Sequence, residues 1–112
     1  MKAFAGALLA AALVAGGATA ATTPPKMGNA KNGHKLFIQH DCGSCHMLAA
    51  ANAMSPSGIG PDLDTTKKTY AQIVANITNG GRGMTGYKHS LTTSQIADLA
   101  AFVYTTAHST HA

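Results

Sequence analysis

Apolar side chains recur at helical spacing in three stretches of the chain, and almost nowhere do they alternate like a strand. The first stretch runs from about Ala30 to His40, with Asn29 placed to cap its start. Gly33, Leu36, Phe37 and His40 fall at i, i+3, i+4 and i+7 and predict one buried face. The second begins near Thr69, repeats the spacing through Tyr70, Ile73, Val74 and Ile77, and stops before Gly80 at Asn79-Gly80-Gly81. The third opens on a capping box, Thr92 with Gln95, flanked by Leu91 and Ile96 at the staple positions. Its apolar face continues through Leu99, Ala100 and Val103, with Phe102 at the margin and His108 and His111 in a patternless tail. These patterns predict an all-α domain of three main helices.

The beginning of the chain reads as an address. Met1-Lys2 is a positive start, Ala3 to Val14 is an Ala- and Leu-rich apolar run, and Gly16-Gly17-Ala18-Thr19-Ala20 is a small-residue exit. Residues 1–20 are therefore expected to be a secretory signal peptide cut after Ala20. The run is too short and too rich in Ala to be expected as a membrane anchor, since spanning takes about 20 apolar residues. Residues 21–29 show no apolar period and read as a flexible lead. One small domain, 30–108, follows, with 109–112 as a tail.

Cys42-Gly43-Ser44-Cys45-His46 carries the chemistry, and it uses every cysteine in the chain. The pattern C-x-x-C-H is the attachment signature of c-type haem. Two thiols at this spacing reach the two vinyl groups of the porphyrin, and the next histidine is carried beneath the iron as proximal ligand. A thioredoxin-like pair would need a preceding strand, whereas Leu36 to Asp41 reads as helix. A structural zinc site would need four ligands, and only one such pair is present. A disulfide across this spacing would close a small strained loop of little value. Export agrees with haem attachment, which in bacteria takes place outside the cytoplasm.

The opposite iron position needs a second ligand or stays open. Met27 lies in the lead, and Met47 is held too close to His46 to reach the other porphyrin face. Met84 has the stronger case, because Gly80-Gly81-Arg82-Gly83 and Gly86 let the backbone approach the porphyrin closely. Met54, in the loop Ala53 to Gly58, and His89 remain as alternatives.

These features together resemble a small monohaem class I c-type cytochrome, over nearly all of the mature domain. Gly33 and Phe37 stand where that family packs its first helix on its last, and Leu99 and Phe102 resemble the partner pair. The family's Gly-Pro-x-Leu segment is matched by Gly60-Pro61-Asp62-Leu63. The resemblance implies that the Pro61 carbonyl accepts a hydrogen bond from the His46 ring, fixing its orientation and raising its basicity. It also implies a role for Tyr87, the aromatic residue three positions after Met84. Thr85 departs from the family, which usually has proline after the ligand methionine. Loss of that fixed φ predicts a more mobile ligand loop.

Composition sharpens this picture. Signal removal leaves 92 residues, and a chain this small gains from a covalently held cofactor in its core. The whole chain has only three Phe, three Tyr and no Trp, which leaves room for one. The net charge of +4 falls to +3 without Lys2, a mild positive balance that suits steering towards an acidic redox protein partner; the cations are scattered as on an ordinary solvated surface, and nothing resembles a nucleic-acid-binding stripe. The four acidic residues, Asp41, Asp62, Asp64 and Asp98, are too dispersed for acid–base catalysis. The expected protein is a periplasmic, monomeric electron carrier with one haem c, no enzyme activity of its own and no membrane anchor after cleavage. Two alternatives stand beside it: a haem c subunit of an exported oxidase or dehydrogenase complex, and a ligand-binding or peroxidase-like haem protein.

Overall fold

The computed structural model describes residues 26–54 and 58–109. The predicted signal peptide and His111 lie outside the described residues. Three α-helices form the frame: α1 (Ala30–Gln39), α2 (Tyr70–Asn79) and α3 (Thr93–His108). Short 3-10 turns at Cys42–Ser44, Ala49–Ala51 and Leu63–Thr65 connect α1 to α2, and no strand occurs among the described residues. This is the all-α arrangement the periodicity predicts.

Each helix starts on a side-chain cap. The Asn29 side chain accepts from the Asn32 amide, and Thr92 with Gln95 forms the predicted capping box of α3. Thr69 with Gln72 forms a second capping box on α2, which the sequence also carries. The α2 helix ends at Gly80, whose positive φ of 67° breaks the helical path.

Packing centres on α3, which receives α1 along one side and α2 along another. At the α1 crossing, Gly33 lies directly on the α3 backbone. A Cβ there would meet the Asp98 carbonyl and, at 2.8 Å, the Phe102 Cβ. Phe37 then meets Phe102 edge-on, with centroids 5.7 Å apart, and His34 stacks on the same ring at 4.7 Å. Phe102 is thus buried at the centre of the crossing and not at a margin. The core is completed by Leu36, Leu48, Ile73, Ile77, Leu91, Ile96, Leu99 and Val103.

Three other expectations change. His40 caps α1, half-buried, and is not part of its buried face. Val74 is half-buried against the core. His108 is the last residue of α3, not part of a patternless tail: its Nδ1 lies 3.0 Å from the Tyr104 carbonyl, and its ring stacks on Tyr104.

The lead is tied down from Lys26 onward. The buried Tyr70 hydroxyl donates to the Lys26 carbonyl at 2.8 Å and accepts from the Gly28 amide at 3.2 Å. The Asn29 amide and the Asn32 side chain both donate to the Asp98 carboxylate at 2.7 Å. Burial raises the Tyr70 pKa above its ordinary value, the Gly28 amide opposes this, and Asp98 adds to it. A raised phenol pKa contributes stability that is complete below the unfolded value and lost as pH climbs through the folded one. Tyr70→Phe should therefore cost about 1 kcal/mol in denaturant unfolding at neutral pH. The gap from wild type should close as pH rises past about 10.

Candidate functional site

The C-x-x-C-H segment hangs from the end of α1. Asp41 takes a left-handed backbone, φ 56°, which turns the chain out of the helix and into the Cys42–Ser44 turn. The Cys45 and His46 amides both donate to the Cys42 carbonyl, at 3.2 and 3.0 Å, and the Ser44 hydroxyl donates to the Asp41 carbonyl. Both sulfurs and the imidazole are therefore presented from one tight turn. Burial pushes the Cys42 thiol up to about 11, opposed by a backbone hydrogen bond and reinforced by Asp41 and Cys45.

The segment 60–63 runs beside this turn. The Gly60 amide donates to the Cys45 carbonyl and the Leu63 amide to the Met47 carbonyl, both at 2.9 Å. His46 Nδ1 lies 2.8 Å from the Pro61 carbonyl. A carbonyl only accepts, so Nδ1 is the donor, and in the neutral ring Nε2 is then the nitrogen with the lone pair for a ligand. Gly60 closes against the ring: a Cβ there would stand 2.6 Å from Cε1 and 2.8 Å from Nδ1. The intervening loop is closed by two backbone bonds between Leu48 and Ala53, and clipped by Asp64, whose carboxylate accepts from the Ala49 amide.

Met84 sits on a second loop, after α2. Gly81 and Met84 exchange both backbone hydrogen bonds at 3.0 Å around Arg82 and Gly83, whose φ values are 54° and 90°. Two central residues with positive φ make a type I′-like tight turn. Gly80 lies against the Met84 carbonyl and the Gly86 amide, so no side chain fits there. The Tyr87 and Lys88 amides then bond back to the Ile77 and Thr78 carbonyls at the end of α2. The loop that carries Thr85 in place of the family's proline is bounded at both ends by these backbone bonds and close glycine contacts.

The two loops converge. Cys42, Leu63, Val74, Met84 and Tyr87 are half-buried and pack against the same core. Burial raises the Tyr87 pKa, and nearby Cys42 and Cys45 raise it further. The alternatives to Met84 are elsewhere in character, since Met54 is 58% exposed and His89 is exposed. Among the described residues no three His, Cys, Asp or Glu side chains cluster as a metal site. Gly60, Gly80 and Asp64 were missed as site-forming residues. Gly60 and Gly80 did leave sequence signals, Gly60 as the first position of Gly60-Pro61-Asp62-Leu63 and Gly80 at the head of the glycine-rich Met84 loop, while Asp64 left none.

A paired-thiol turn followed by an imidazole with a defined Nε2 lone pair, beside an apolar half-buried floor, fits a covalently attached haem. That is the site of a c-type cytochrome. Residues 28–103 match the family model described as cytochrome C oxidase, cbb3-type, subunit III, and the chain belongs to this family of c-type cytochromes. It is 38% identical over 72 residues to cytochrome c6 of Synechocystis sp., a match covering 62% of this chain and 59% of that protein. It is 34% identical over 88 residues to a cytochrome c6-like protein of Nostoc sp., covering 73% of this chain and 75% of the relative. The chain thus spans under two thirds of the first relative's length. No solved structure gives a significant match. The cofactor is haem c, held covalently through Cys42 and Cys45.

Gly60 offers a direct check on the ring geometry. Gly60→Ala should displace His46 from the Pro61 carbonyl and lower holoprotein stability by about 1–3 kcal/mol, the usual cost of overpacking. Denaturant unfolding measures the loss. Ring-proton NMR shifts of His46 should move in the same variant.

Proposed function

We propose that the protein is an exported monohaem electron carrier in which His46 and Met84 are the two axial ligands. The observation that carries this reading is the 2.8 Å contact between His46 Nδ1 and the Pro61 carbonyl, with Gly60 closed against the ring. Haem c, when bound, supplies a one-electron iron couple, and a thioether ligand favours its reduced form.

The chain's own residues hold and insulate that couple. Cys42 and Cys45 tether it, Pro61 fixes the imidazole and raises its basicity, and the Gly81–Met84 turn offers the thioether. Tyr87 covers the cysteine side of the site. Asp98, Asp62 and Asp64 are engaged in backbone or side-chain hydrogen bonds that brace the loops. Redox proteins are accordingly the partners, with the basic surface favouring acidic ones.

Export to the periplasm is supported by the pattern of residues 1–20 and by the chemistry of thioether formation. Among the described residues no helix is long and apolar enough to cross a membrane. The matched family's description names an oxidase subunit, which favours one second reading, an electron-transfer subunit of a larger complex. Gel filtration of native extract separates the two, since a free carrier elutes near its monomer size and a subunit with its complex.

The ligand assignment has its own test. Met84→Ala should abolish the weak red-end absorption band of the sulfur–iron bond and lower the reduction potential, with haem still attached. Met54→Ala should leave band and potential unchanged. The reverse pattern would move the ligand to the 48–60 loop.

A further inference from the structure

We infer that His40 is a positioning residue for the ligand loop, acting through Tyr87; this rests on Met84 as the axial ligand. The His40 ring meets the Tyr87 ring edge-on, with centroids 5.7 Å apart and planes at 79°. Both rings are half-buried. His40 is fixed from its own side as the cap of α1, its amide donating to the Leu36 carbonyl at 3.0 Å, two residues before Cys42. Tyr87 is fixed from the other side, its amide donating to the Ile77 carbonyl of α2 at 2.8 Å.

The helices α1 and α2 both pack chiefly on α3. The ring pair is therefore a direct side-chain link between the end of α1, which carries the tethering cysteines, and the segment that carries Met84. Tyr87 lies three residues after Met84, and Cys42 and Cys45 are near enough to act on its hydroxyl. Met84 and Tyr87 share one short loop, so a ring contact that fixes the Tyr87 side chain favours the loop conformation that presents Met84. Edge-to-face aromatic pairs are worth about a two- to tenfold bias in such an equilibrium.

The test uses holoprotein titrated with imidazole, following loss of the sulfur–iron band, in wild type, His40→Ala, His40→Phe, Tyr87→Leu and the His40→Ala/Tyr87→Leu double variant. Helical circular dichroism in denaturant is recorded for each. His40→Ala should lower the displacement midpoint about two- to tenfold, by more than its global stability falls. His40→Phe should restore it, and His40→Ala should add little once Tyr87 is leucine. A Met84-dependent band displaced at the wild-type midpoint in His40→Ala overturns this inference alone. So does a His40→Ala effect that persists undiminished without Tyr87, or one matched by an equal fall in global stability. A wild type lacking the band, or Met84→Ala retaining it, overturns the ligand assignment and this inference with it.

Discussion

The close approach of two backbones at Gly33 sets the frame on which everything else hangs. With no side chain at that point, α1 comes down onto the Asp98 turn of α3, and Phe37 and His34 close around Phe102 from either side. Asp98 adds a polar clamp at the rim, taking hydrogen bonds from Asn29 and Asn32. A larger residue at 33 would lift α1 away, and with it the turn that displays Cys42, Cys45 and His46. Dispersion contacts fall off steeply with even a small gap, so the crossing tolerates little adjustment.

The site is built from loops, yet its parts are fixed by local constraints that differ from one loop to the next. Left-handed residues redirect the chain at both loops: Asp41 ahead of the cysteine turn, and Arg82 with Gly83 ahead of Met84. Strain of this kind persists where the surroundings over-determine it. Here the surroundings are backbone bonds, the reciprocal pair of Gly81 with Met84 in one loop, and those of Asp41 with Ile38 and Ser44 in the other. Proline after the methionine would be one way to stiffen such a loop, and packed glycines at 80 and 86 are another.

Much of this was legible in the residues themselves, for identifiable reasons. Helix periodicity and the Thr92 box depend only on neighbours along the chain, and the cysteine–histidine signature is local by its chemistry. The Thr69–Gln72 box is equally local. What stayed hidden depends on distant partners. Phe102 looks marginal until Gly33 and His34 arrive from α1, and Lys26 to Asn29 look loose until Tyr70 and Asp98 reach them across 42 to 69 residues. Glycine in a motif advertises itself as a turn former, and nothing in its neighbours reveals that Gly60 is pressed against an imidazole 14 positions earlier.

The clamp between Asn29 and Asp98 spans 69 residues, so it joins nearly the two ends of the domain. Everything that carries chemistry lies inside the ring of chain it closes. Closing a ring of that length costs on the order of 4 kcal/mol of chain entropy before a single native contact rewards it. Long-range contacts of this kind are late and slow to form, whereas the cysteine turn needs only its own few residues. The tethering segment can therefore take shape in a chain whose ends have not yet met, and a cofactor bound there would be carried into the core when they do.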